Sequence, residues 1–146
     1  MFLTKQDLTS KLRESDLLRI TGGDDMVVEH ALSYAVGIMR SYLAERYDVE
    51  SIFSAVGEDR EGALVAMGVD IAVYEIVAIA QPNIDLTDRR ERRRQAIEYL
   101  TAVRDDNLPT GWPLRPVEPD EDDEEDGISG SGSVLWGGIP SRGNYF

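Results

Sequence analysis

The stretch DDMVVEHALSYAVGIMRSYLAERY, residues 24–47, decides the fold class. Its apolar residues Val28, Ala31, Leu32, Ala35, Ile38, Met39, Tyr42 and Leu43 recur at steps of three and four. That spacing predicts an amphipathic helix, capped by Asp24 or Asp25 and running to about Arg46. The opposite face, His30, Ser33, Gly37, Ser41 and Ala44, is mostly small. Such a face either meets solvent or lets another helix approach closely.

Three more helices follow from the flanking sequence. Upstream, Thr4 with Asp7 reads as an N-cap and a first-turn acid, opening a short helix through about Arg13 with Leu8 and Leu12 four apart. Gly22-Gly23 ends that region. Downstream, residues from about Asp59 to Ala80 are apolar nearly all round (Leu64, Val65, Met67, Val69, Ile71, Val73, Ile76, Val77, Ile79), as expected of a central helix. Asp70 interrupts it on the side of Ala63, Met67, Tyr74 and Val77. A carboxylate there needs a partner. Arg46 is the expected one, with Arg104 or the Tyr42 hydroxyl as alternatives, and the role is structural. The last helix begins near Asp88, with Glu91 three residues on, and runs to about Val103, burying Ala96, Ile97, Leu100 and Val103.

That last helix opens on Arg89-Arg90-Glu91-Arg92-Arg93-Arg94. Arg89 and Arg93 continue the line of Leu100 past the end of the core. The block either forms a solvated face with intrahelical Glu–Arg pairs, each worth about 0.2–0.5 kcal/mol, or receives acids from elsewhere. The acids are those of the run Asp120–Asp126 on a neighbouring copy or of an acidic partner.

The chain has 146 residues and a formal net charge of -13. Residues 113–146 carry 2 bases and 8 acids, including seven consecutive acids at Asp120–Asp126. Pro109, Pro113, Pro116 and Pro119 lead into that run, and Gly127–Ser133 follows it. The composition cannot bury enough apolar surface to offset chain entropy. Beyond it, Val134, Leu135, Trp136, Ile139, Tyr145 and Phe146 read as a tethered docking peptide, with Trp136 and the Tyr145-Phe146 pair as anchors. The expected architecture is therefore all-α: a small four-helix bundle over 1–112, a Pro-rich, acidic and Gly/Ser linker over 113–133, and a docking peptide over 134–146.

Composition also removes chemistry. With no Cys and one His (His30), thiol catalysis, disulfides and thiolate metal sites are excluded, and a His triad would need another chain. No phosphate loop, metalloprotease motif, calcium loop or nucleophile elbow occurs. The reading is a protein that is not an enzyme, with no cofactor and no metal; a small enzyme or ligand-binding bundle using Asp70 and His30 is the outlying alternative. The acidic excess disfavours tight DNA binding. No apolar run of about 18 residues and no signal peptide is expected, hence a soluble intracellular protein without a membrane partner.

Ser41-Tyr42-Leu43-Ala44-Glu45-Arg46-Tyr47 resembles the Tyr-Leu-x-x-Arg-Tyr signature of the tailed-bacteriophage head-tail connector (adaptor) proteins, Mu-like type. Phe2–Leu8 is similar to that family's opening segment, Val69–Tyr74 to its Asp-Ile-Ala-x-Tyr core helix, and Arg90–Leu100 to its last helix. The resemblance spans about residues 1–108. It departs at Asp48–Phe53, where the family has an apolar Leu-Pro segment, and in the length of the acidic tail. It implies a homo-oligomeric ring, a dodecamer, between portal protein and tail or stopper protein. Each copy would insert its C-terminal extension into a neighbour, at the head-tail interface of a virion assembled in the bacterial host cytoplasm. An acidic ring would let DNA pass through without specific binding. Arg89, Arg90, Arg92, Arg93 and Arg94 would make assembly contacts, and Asp70, Arg46, Tyr42 and Tyr47 would be structural. The alternative is a helical interaction module whose acidic tail mimics nucleic acid.

Overall fold

A computed structural model describes residues 1–81 and 83–117. Among them the chain forms five α-helices, α1 (Glu14–Thr21), α2 (Asp25–Leu43), α3 (Val49–Ser54), α4 (Gly62–Ala80) and α5 (Thr87–Arg104), with 3-10 helices at Lys5–Ser10 and Gly57–Asp59. The all-helical expectation holds. Its three long helices are the ones whose periodicity the sequence displays.

The expected first helix through Arg13 is instead two elements. Arg13 is extended (ψ 145°), so the 3-10 helix stops and α1 starts afresh. α1 has Glu14 and Asp16 in its first turn and Arg19 in its last, signs that suit the helix dipole. Gly22, at φ 65°, ends it in a left-handed conformation that glycine adopts without strain. α3 was not expected either. Asp48 caps it by accepting from the Ser51 N–H at 3.1 Å, and Ile52 and Phe53 are buried. Phe53 meets Phe2 edge-to-face at 4.8 Å, which closes the segment over the N-terminus.

α4 is the central helix, packed between α2 and α5, with Leu64, Val69, Ile71, Ala72, Val73, Ile76 and Val77 buried. By length and composition it is long and apolar enough to cross a membrane, which corrects the expectation that no apolar run of about 18 residues occurs. Here that apolarity faces protein on both sides. Each large aliphatic side chain so buried contributes about 1.5–3 kcal/mol. Gly68 is where α4 comes closest to its neighbours: a Cβ there would lie 2.7 Å from Leu3 Cδ1 and from Met39 Cε. Arg93 over Tyr74 and Arg104 over Tyr42 show that α5 runs antiparallel to α4 and parallel to α2.

The compact unit extends to Pro116, beyond the expected boundary at 112. Tyr47 and Leu114 form an antiparallel bridge, the Asp48 N–H donates to the Pro113 carbonyl at 2.9 Å, and the Arg115 N–H donates to the Arg46 carbonyl at 2.9 Å. Trp112 is buried edge-to-face on Tyr47 at 5.6 Å. The aromatic pair fixes the chain after α5, and the backbone bonds follow from it. On α2, the small-residue face at His30, Ser33, Gly37 and Ser41 is exposed.

Candidate functional site

The start of α5 is built by Asp85. Its carboxylate accepts from the Thr87 N–H at 2.9 Å and the Thr87 hydroxyl at 2.6 Å, so the helix opens at Thr87, with Asp88 in the first turn rather than as the cap. Those two bonds, led by the hydroxyl, hold the Asp85 carboxyl below its ordinary range; the nearby Arg90 charge adds to the effect. An anionic cap of this kind also complements the positive helix end.

The five arginines then part company. Arg94 is consumed on its own helix, bonded to Glu91 at 2.6 Å and paired with Glu98 one turn on. The Arg94 bond, followed by that from Gln95, keeps the Glu91 carboxyl low. Arg93 turns inward, its guanidinium 5.4 Å from the centre of the Tyr74 ring and its Nε buried without a partner. Arg89 also turns inward: both terminal nitrogens donate to the Lys11 carbonyl at 3.3 Å. Lys11 is the residue that ends the first 3-10 helix, so Arg89 satisfies a carbonyl left open there. Arg90 and Arg92 remain exposed, and among the described residues neither has a carboxylate within bridging distance. The intrahelical Glu–Arg pairing of the first reading is thus present at Arg94 alone, while Arg89 and Arg93 turn inward and Arg90 and Arg92 project outward.

Asp70 does not pair with Arg46. Lys11 Nζ stands 3.4 Å from Asp70 Oδ2, while Oδ1 is buried without a partner. Arg46 instead bridges Asp106 at 2.7 Å and lies over Tyr47. The wheel projection put Asp70 and Arg46 on facing stripes, but Arg46 lies beyond the end of α2, where the chain turns towards the C-terminal side of α5. The two named alternatives are also otherwise engaged: Arg104 bonds Asp105 at 2.8 Å and covers Tyr42. Tyr47 is buried and accepts from the Thr110 hydroxyl at 3.2 Å.

Lys11 was overlooked because it sits between Leu8 and Leu12 in an element read as an ordinary α-helix. In the structure it joins the first 3-10 helix, α4 and α5 at one point. Ser10, Lys11, Asp88, Arg89 and Arg92 line an open cleft of about 310 Å³ there. Of its three cations Lys11 is bridged to Asp70 and Arg89 donates to the Lys11 carbonyl, which leaves Arg92 as the one that projects outward. No group of three or more metal-ligating side chains occurs among the described residues, and His30 stands exposed on α2. The docking residues Val134, Leu135, Trp136, Ile139, Tyr145 and Phe146 lie outside the described residues, as does the run Asp120–Asp126.

A family model described as Bacteriophage Mu, Gp36 matches residues 2–128. No curated protein matches the chain, and no solved structure does.

Proposed function

The chain belongs to the Bacteriophage Mu, Gp36 family, and we propose that this Mu-like phage protein is a head-tail connector: a non-enzymatic adaptor that forms a ring between portal and tail. The observation that carries the reading is the family match across both the helical unit and the first part of the acidic arm. The unit itself offers exposed arginines on α5 and a net acidic surface, which suit assembly and the free passage of DNA better than sequence-specific binding. In this reading the homo-oligomer is a dodecameric ring, the portal protein and a tail or stopper protein are its neighbours, and the apolar end of the arm docks on one of them.

The test is to tag the chain, purify virions of the phage that encodes it, and locate the tag by cryo-electron microscopy. Density at the joint of head and tail, together with separated heads and tails when the gene is silenced, is the expected result. A tag confined to the capsid interior, or particles joined normally without the protein, would refute the connector role. Capture of a nucleic-acid-binding protein by the acidic arm, with no portal binding, would favour the mimic instead.

A further inference from the structure

Among the described residues, α1 is the one α-helix whose side chains make no hydrogen bond or ion pair with another element. Arg19 bonds Asp16 at 3.1 Å, the Thr21 hydroxyl donates to the Leu17 carbonyl at 2.9 Å, and the Gly23 N–H donates to the Thr21 hydroxyl oxygen at 3.3 Å. All three contacts stay within α1 and its own turn. The apolar attachment is equally slight. Leu17 is the only buried residue of α1, and Leu18 beside it is 60% exposed. An open cleft of about 710 Å³ separates Glu14 and Leu17 from Gln6 and Thr9 of the first 3-10 helix, so α1 rests on α4 and α2 with that flank unsupported.

Both ends of α1 are breaks in the backbone. Arg13 is extended at φ -62° and ψ 145°, and Gly22 and Gly23 stand at φ 65° and 82°. Glycine passes between left- and right-handed backbone without the steric cost that a side chain imposes, as a hinge requires. The chain on either side is held. Upstream, Lys11 is tied twice, through Nζ to Asp70 at 3.4 Å and through its carbonyl to Arg89, and Leu12 is buried. Downstream, Asp24 accepts from the Met26 N–H at 2.9 Å and caps α2. The movable piece is therefore bounded at Arg13 and Gly23.

We propose that α1 is a hinged lid, which swings away from α4 on Arg13 and Gly22-Gly23 while the rest of the bundle stays folded. Burial of one leucine favours the closed state by about tenfold to a hundredfold, whereas α2 and α4 bury six and eight residues. Local opening of α1 thus precedes global unfolding. The open state uncovers the apolar side of α4 beneath Leu17. It also frees Leu17, Leu18 and Ile20 together, so a segment with one exposed leucine when closed presents three apolar side chains when open. The inference is independent of the connector reading, and neither outcome of its test bears on that reading.

The first measurement is native-state hydrogen exchange on the full chain, which needs no variant. Amides of Leu17–Thr21 should exchange at least about a hundredfold faster than the slowest amides of α2 and α4. Their rates should change little between 0 and about 1 M urea, because a local opening exposes little surface. The second uses the absence of Cys from the chain. A single thiol placed by Leu17→Cys should react with a disulfide reagent at least about a hundredfold faster than one placed by Ile76→Cys, although both positions are buried. Exchange of α1 as slow and as urea-dependent as that of α4 overturns the proposal, since α1 would then open only when the whole bundle unfolds. So does equal reactivity of the two thiols.

Discussion

Asp7 and Arg60, 53 residues apart, form a two-point ion pair, with Arg60 Nη1 at 2.7 Å from Asp7 Oδ2 and Nη2 at 3.0 Å from Oδ1. Arg60 also donates to the carbonyls of Phe2 at 2.7 Å and Gly57 at 2.9 Å. Asp7 in turn accepts from the Thr4 N–H and hydroxyl at 2.7 and 2.9 Å. One side-chain pair thus ties the N-terminal segment, the first 3-10 helix and the turn before α4 together. Both members are mostly buried, so this pair, unlike the domain's exposed ones, is little screened by solvent.

The pair makes stability depend on pH with a definite sign. The Arg60 bond, followed by those from Thr4 and opposed by burial, holds the Asp7 carboxyl below its ordinary value of 3.8. A depressed folded-state value means the folded protein binds fewer protons than the unfolded one through this window. The contribution is fully present above about pH 4 and is lost as pH falls through the folded value. Asp7→Asn should cost about 2 kcal/mol at pH 7, and its deficit relative to wild type should shrink in acid. Chemical denaturation at pH 7 and at pH 3 measures this; equal deficits at both would contradict it.

Truncation separates the domain from the arm. A chain ending at Pro116 keeps Trp112 on Tyr47 and the backbone bonds of Pro113 and Arg115, so its melting temperature should match the full chain's. Ending at Thr110 removes a buried Trp and uncovers Tyr47, at a cost of about 3 kcal/mol. Thermal unfolding of the two truncations is the check.

The long helices are legible because α2 and α4 bury six and eight residues and α5 buries Ala96, Leu100 and Val103 at steps of four and three, so each writes a helical period. α1 and α3 are not, since each buries only one or two side chains (Leu17 in α1; Ile52 and Phe53 in α3) and is defined by caps instead. The basic block was visible as a run, but which arginine does what depends on partners far away in sequence, such as Lys11 for Arg89 and Tyr74 for Arg93. Asp70 shows the same limit. Helical spacing places a charge on a face without saying which of several distant cations arrives there.

Gly68 reports on the closeness of α4 to its neighbours. Alanine there gains helix propensity of about 1 kcal/mol but presses on Leu3 and Met39, two fully buried side chains. Those effects oppose each other. Gly68→Val adds two further methyl groups into the same space and should destabilise by about 1–3 kcal/mol. Denaturant titration of Gly68→Ala and Gly68→Val side by side tests the argument, and a valine variant as stable as wild type would show that the contact is loose.

Lys11 and Asp70 should be coupled in stability. The lysine is the cation that bridges this carboxylate, at 3.4 Å, and Asp70 Oδ1 has no partner of its own. Lys11→Ala leaves a nearly buried negative charge without its counter-ion, which should cost about 1–3 kcal/mol. Asp70→Asn preserves the shape while removing the charge, so it should be close to neutral. In the double variant Lys11→Ala/Asp70→Asn there is no charge left to strand, and the loss should be smaller than that of Lys11→Ala alone. A double-mutant cycle by urea unfolding measures the coupling. Strict additivity would mean that the 3.4 Å pair contributes nothing and that Asp70 is held by its surroundings alone.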